Sequence, residues 1–268
     1  MRFGNVDQEE LETKFTDHNT QSFTCDSCKA GQEFESDFSM AFQPLVDLSN
    51  RETYGYEALV RGPNGEPAYT VINQVTAENI YQFDQTCRVK AICLAAEFGL
   101  DKTLSINFLP GAINKPDICI RKTLVAAEVN KFPISLLNFE MVETDHVTDI
   151  ARLENIARYY QQIGLSIALD DFGSGYANLD WLAYLNPNSI KIDISLVKDI
   201  DQSPKRKLIV KQLKNLTASL GIEAVAEGVE TKAERDVLAE IGITKQQGFY
   251  FARPQFEQFI NVPDECYR

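Results

Sequence analysis

Eight short apolar runs recur along this chain, and the segments between them limit its fold more than any other feature. The runs are AFQPLVD (41–47), YGYEALV (54–60), LSINF (104–108), LLNFEMVE (136–143), LSIALDD (165–171), SIKID (189–193), IEAVAEGV (222–229) and QQGFYF (246–251). Between most of them lies a stretch with apolar residues at helical period: FDQTCRVKAICLAAEF, ICIRKTLVAAEVNKF, HVTDIARLENIARYYQQIG, NLDWLAYL, PKRKLIVKQLKNLTASLG and AERDVLAEIG. Strands that alternate with covering helices pair in parallel, and eight of them predict closure into a barrel. Only LSNRET separates the first two runs, which is too short for a crossover helix, so these two must be antiparallel. The expected fold is α/β: a modified TIM-type (β/α)8 barrel in which one strand runs against the other seven, with no internal repeat.

The folded domain is expected over residues 38–268. Residues 1–37 read as a polar N-terminal extension with at most a short helix in DQEELETKF. Within it, Cys25 and Cys28 stand at CxxC spacing, which gives half of a zinc site or a redox pair. Without four ligands or a thioredoxin-like context, the reading is an ordinary reduced pair. The N-terminus lacks the parts of a signal peptide and no apolar run is long enough to span a bilayer, so the expected location is cytoplasmic, with no membrane partner. A net charge of -13 argues against binding a nucleic-acid polymer, which needs clustered Lys and Arg. It leaves room for a small anionic substrate if cations mediate the contact.

In a barrel of this kind the C-terminal strand ends and the loops after them build the active site. Polar residues fall at those ends: Glu57, Asn107, Glu140, Asp170 with Asp171, Lys191 with Asp193, Glu227 and Gln247. Any one alone reads as a satisfied rim residue, and an Asp pair alone reads as a turn. Carboxylates from five strands at one mouth are different, because unneutralised they would raise one another's pKa values. Hard divalent cations remove the conflict, since Mg²⁺ and Mn²⁺ prefer carboxylate, amide and water oxygens. The only histidines, His18 and His146, lie away from the strand ends, which argues against a soft-metal site. Adjacent aspartates also suit two ions about 4 Å apart with one bridging carboxylate.

The ordered set EALVR (57–61), SINFLP with Asn107, FEMVE with Glu140 and Glu143, DDFGSGYANL, KID (191–193), AEGVET and QGFYFARP resembles the signature of the EAL-domain cyclic di-GMP phosphodiesterases. The resemblance runs from Phe38 to Pro254. It implies hydrolysis of cyclic di-GMP to linear pGpG with two Mg²⁺ or Mn²⁺ ions per site. By position it makes Glu57, Asn107, Glu140 and Asp170 ligands of one metal, with Asp170, Asp171 and Glu227 around the other. It gives Lys191 the attacking water and Arg61 the substrate phosphate, while Gln247 and Asp193 orient the metal shell or the water network. Glu143 would steady the loop after the aspartates. The resemblance also implies a homodimer through region 172–185. Gly62, Ser174 and Phe249 stand where Trp, Thr and Tyr are common in the family, and none of these changes removes a ligand. The alternative reading is a non-catalytic cyclic di-GMP receptor or protein-interaction module.

Overall fold

A computed structural model describes residues 34–113, 115–141, 150–174 and 179–268. Glu143, the CxxC pair and part of region 172–185 lie outside the described residues. Eight strands close a barrel: β1 (Ser39–Asp47), β2 (Glu52–Arg61), β3 (Thr103–Phe108), β4 (Leu137–Met141), β5 (Ser166–Phe172), β6 (Ser189–Ile192), β7 (Glu223–Ala226) and β8 (Lys245–Gln246). Strands β2 to β8 are parallel neighbours in chain order. β1 pairs antiparallel with both β2 and β8, so it is the strand that runs against the other seven. A two-residue β9 (Gln255–Phe256) pairs with β1 at Ala41 and Phe42.

Among the described residues, six helices longer than one turn cover the barrel: α1 (Ile80–Glu97), α2 (Arg121–Val129), α3 (Ile150–Gln162), α4 (Leu179–Tyr184), α5 (Pro204–Ser219) and α6 (Lys232–Ile241). Local chemistry sets their ends. Ser203 caps α5 by accepting from Arg206 N, with Pro204 at the first helical position, where a missing N–H does no harm. Thr231 and Glu234 form a capping box on α6, and Gly242 ends that helix at φ 96, a conformation open to glycine.

Outward-facing strand residues build the core against these helices. On β3 the buried Leu104, Ile106 and Phe108 alternate with Thr103, Ser105 and Asn107, the period of two that separates a packed face from the lumen. Phe108, Phe139 and Tyr160 meet with ring centroids 5.4–6.0 Å apart and lock β3 and β4 to α3. That packing fixes the strands that carry Asn107 and Glu140 to the mouth.

Two details depart from the sequence expectation. The segment 118–132 divides at Ile120 into a one-turn helix, Pro116–Cys119, followed by α2. QQGFYF is not one strand: pairing stops at Gln246, and Gly248 lies so close to Val229 that a Cβ would come within 2.0 Å of its carbonyl oxygen. Only glycine permits that approach.

Candidate active site

Side chains from the ends of seven strands, Glu57, Asn107, Glu140, Asp170 with Asp171, Lys191, Glu227 and Gln247, meet at the barrel mouth, at one side of a cleft of about 810 Å³. Lys191 is the hub. Its Nζ lies 2.5 Å from Glu140 Oε2, 3.2 Å from Asp170 Oδ1 and 3.3 Å from Glu57 Oε2, and it also contacts Glu227 Oε1. Lys191, Glu57 and Glu140 are all buried. One ammonium therefore faces four carboxyl groups, and Asp171 adds a fifth beside Asp170.

The adjacency of Asp170 and Asp171 has a structural cause. Consecutive residues of a strand point to opposite faces, yet carboxylate oxygens of Asp170, Asp171 and Glu227 all lie within 4.8 Å of one another. Asp171 adopts φ 50, the left-handed conformation that Asp tolerates better than most residues, and Gly173 follows at φ 102. The β5–β6 register shifts between Leu169 and Phe172 at the same point. This irregularity turns both side chains toward one site, and such strain is concentrated at functional positions.

Besides Lys191, the contacts of the Glu57 carboxylate are amides. Asn107 Nδ2 donates to its Oε1 at 2.8 Å, and Gln247 Nε2 donates to its Oε2 at 2.6 Å. Gln247 Nε2 also reaches Gln43 Oε1 at 3.2 Å, and Gln43 Nε2 donates to the Ala252 carbonyl at 3.2 Å. Gln43 is a site residue that the strand-end argument passed over, although it is the one polar residue inside AFQPLV. Asp193 lines the cleft and accepts from Ser195 N at 2.9 Å, capping the one-turn helix Ile194–Val197. Arg61 lines the same cleft, half-buried, with Nη1 donating to the Val60 carbonyl at 2.7 Å.

Burial and mutual repulsion dominate the electrostatics. Burial pushes Glu140 up to about 8; Lys191 opposes this, and Glu57 and Asp170 reinforce it. Burial also raises Glu227 well above the carboxylate range, Lys191 opposing and Asp170 adding to the effect. Asp171 is pushed up to about 6 by burial, then by Asp170 and Asp193. Glu57 is the exception: burial works against its charge, but Lys191 and the hydrogen bonds from Gln247 and Asn107 outweigh it and hold Glu57 low. Burial likewise disfavours the Lys191 ammonium, which its carboxylate neighbours hold well above the ordinary lysine value.

This donor set fits hard divalent cations. The oxygens are carboxylate and amide, and the buried Oδ1 of Asn107 has no hydrogen-bond partner while its amide nitrogen is engaged with Glu57. An unpartnered buried acceptor is rare enough to require a reason, and a cation ligand position supplies one. Of the expected site residues, Glu57, Asn107, Asp170, Asp171, Lys191, Asp193, Glu227, Gln247 and Arg61 line the cleft, and Glu140 contacts it through Lys191.

Comparison with known proteins gives a consistent picture. The family model described as EAL domain matches residues 30–254. Among solved structures, a standalone versatile EAL protein from Vibrio cholerae O395 in its c-di-GMP bound form is 47% identical, with a TM-score of 0.85 over 87% of this chain and 99% of that one. BlrP1 of Klebsiella pneumoniae, in a manganese/cy-diGMP complex, is 31% identical with a TM-score of 0.79 over 87% of this chain and 60% of that one. The cyclic di-GMP phosphodiesterase RocR of Pseudomonas aeruginosa is 33% identical, covering 83% of this chain and 58% of its own. The match spans 29% of the signaling protein YkoW of Bacillus subtilis and 59% of the antirepressor BluF of Escherichia coli, so the curated relatives are much longer than the part they share with this chain.

Proposed function

Because the chain belongs to the EAL domain family, we propose that it is a metal-dependent phosphodiesterase that hydrolyses cyclic di-GMP to linear pGpG. The observation that carries the reading is the meeting of Glu57, Asn107, Glu140, Asp170, Asp171 and Glu227 around Lys191 at one end of a large cleft. The manganese and cyclic di-GMP named with BlrP1, and the activity named for RocR, support it.

In this reading Glu57, Asn107, Glu140 and Asp170 would hold one cation, and Asp170, Asp171 and Glu227 would hold the other. Bound there, two Mg²⁺ or Mn²⁺ ions supply charge neutralisation of the phosphodiester and acidification of the attacking water. The protein supplies the rest. Lys191, already within reach of four carboxyl groups, keeps its proton and polarises the water oxygen. Arg61 meets substrate phosphate across the cleft. Gln247, itself held by Gln43, fixes the rotamer of Glu57, and Asp193 orients the water network from the start of the helix it caps. The water oxygen bonds to phosphorus, the P–O3′ bond breaks, and the 3′-oxygen leaves carrying a proton. Such preorganised charge acts in a buried site where it is worth more than in water.

The proposal includes a homodimer through region 172–185. On α4, Trp181 and Leu182 turn into the core, while Leu179 and Tyr184 are each 58% exposed and available to a second copy. Sedimentation across a concentration series tests this; a monomer at every concentration refutes it. The proposed location is the cytoplasm, and among the described residues no helix is long and apolar enough to cross a membrane.

The deciding experiment incubates the purified chain with cyclic di-GMP and Mg²⁺ or Mn²⁺ and resolves the nucleotides by chromatography. Conversion to pGpG that chelator abolishes is expected. A folded, metal-loaded sample that binds the nucleotide without product overturns catalysis and leaves a receptor.

A further inference from the structure

Beneath the carboxylate cluster much of the lumen is polar, with Leu45 and Val225 the apolar exceptions, where barrels of this type are usually filled by branched apolar side chains. Side chains two residues earlier on a strand face the same way. That rule sets Ser105 below Asn107, Asn138 below Glu140 and Ser189 below Lys191, and all three line a second cavity of about 130 Å³ at the opposite end of the barrel. Asn138 Nδ2 donates to Ser105 Oγ at 2.9 Å. At the floor, Lys245 Nζ lies 2.7 Å from Glu223 Oε2 and 4.3 Å from the centroid of the Tyr54 ring, and Glu223 is exposed to solvent. At the roof stand Glu140 and Lys191, and Lys191 also lines the substrate cleft. One side chain thus borders both spaces.

A cavity of this size has room for several waters, each taking about 30 Å³ in the liquid, and a lining of hydroxyl and amide groups offers each of them partners. We propose that the barrel floor is a second solvent entrance: a water column rises from Tyr54 and Lys245 to Lys191 and Glu140. It keeps the metal side of the site in exchange with bulk water while a nucleotide fills the mouth. Hydrolysis consumes one water per turnover, so the role of the column rests on the phosphodiesterase reading. Its existence does not. A buried ammonium and carboxyl group also gain from water beneath them, because ionised groups resist transfer to a dry interior.

Water-proton relaxation by Mn²⁺ bound to the full chain tests the route, with pGpG saturating the mouth. The wild type is expected to keep most of its relaxation enhancement when pGpG binds. Ser166→Leu fills the column from β5 without touching a mouth residue, and should lose the enhancement several-fold under pGpG while keeping it without nucleotide. Should Ser166→Leu fail to fold by circular dichroism, Ser189→Val carries the same comparison. Loss of the enhancement in the wild type on pGpG binding makes the mouth the only route and overturns the proposal. High-resolution diffraction of the wild type decides the column independently: ordered waters from the floor to Lys191 are expected, and a dry cavity refutes them. If pGpG does not bind at all, the phosphodiesterase reading fails and the diffraction result alone settles this one.

Discussion

Replacing Lys191 with Met removes the ammonium that faces Glu57, Glu140, Asp170 and Glu227 while keeping much of the side-chain length. Deleting one partner of a buried ion pair costs about 3–5 kcal/mol when the charge left behind stays ionised. Here the carboxyl groups can take up protons instead, and Glu140 is already raised to about 8 with Lys191 in place. A carboxyl whose folded pKa lies above its unfolded value stabilises fully below the unfolded value, and that stability is lost as pH rises through the folded one. Lys191 pulls Glu140 and Glu227 down, so its loss raises them further and strengthens this pH dependence. In chelator, Lys191→Met should therefore be near the wild type at pH 5 and about 3–5 kcal/mol less stable at pH 8. Its Tm should be lower there by roughly 2–4 °C per kcal/mol. Saturating Mn²⁺ should narrow the gap by returning positive charge to the cluster. Urea titrations at both pH values, with chelator or Mn²⁺, measure this. In the metal-loaded protein, cyclic di-GMP should still bind in calcium while kcat falls about 10²-fold or more, the scale of losing one electrostatic contributor to a transition state. Equal stability at pH 8 in chelator would refute the charge-balancing argument, and hydrolysis at the wild-type rate would refute the water-polarising role.

Ca²⁺ should support cyclic di-GMP binding with little turnover, because it accepts longer and looser oxygen coordination than Mg²⁺; full activity in calcium alone sinks the geometric demand. Metal binding must displace protons from Asp171, near 6, and Glu140, near 8, so apparent Mn²⁺ affinity should rise with pH between those values. Calorimetry in buffers of different ionisation heat reads the released protons, and a pH-independent affinity contradicts the raised carboxyls. Asp171→Asn keeps the shape and removes one negative charge from the proposed metal cluster, so both Mn²⁺ affinity and turnover should drop; unchanged metal dependence would return the aspartate pair to a turn. Gln43→Ala leaves Gln247 with one fewer partner, at about 1 kcal/mol or roughly a fivefold loss in kcat/KM, and an unchanged value removes Gln43 from the site.

Most of this arrangement was legible because barrel physics separates outer from inner residues. An apolar run that ends in Glu, Asn, Asp or Lys marks a strand whose outer face packs and whose last inner residue reaches the mouth. That pattern located Glu57, Asn107, Glu140, Lys191 and Glu227. It missed Gln43 for the opposite reason. β1 is antiparallel, so its early half lies at the mouth beside Glu57 of β2, its register partner, while its last residue, Asp47, lies at the far end. The aspartate pair was visible, but its direction was not, since a left-handed residue at Asp171 does not show in hydrophobic period. β9 and the early end of β8 were hidden as well. One is two residues with no period of its own, and the other is ended by the approach of Gly248 to Val229 in space.

The division between faces also explains how a chain tolerates this much buried acid. Stability comes from outside the barrel wall, where Phe108, Phe139 and Tyr160 and the aliphatic faces of the strands pack on the helices. The lumen contributes little apolar burial below the site, as Ser105, Asn138 and Ser189 attest. Charge can therefore gather inside without displacing core packing. What the lumen must supply is position: parallel strands about 4.8 Å apart bring side chains from β2 to β8 to one point and hold them there by backbone pairing. Burial, reinforced by the repulsion that follows, raises Glu140, Glu227 and Asp171, and the buried Oδ1 of Asn107 has no partner. Both penalties would be relieved by the same event, the arrival of the divalent cations of the proposed reaction. Affinity for the metals and instability of the metal-free lumen are thus two readings of one electrostatic arrangement, and a substitution that calms the lumen should weaken metal binding in proportion.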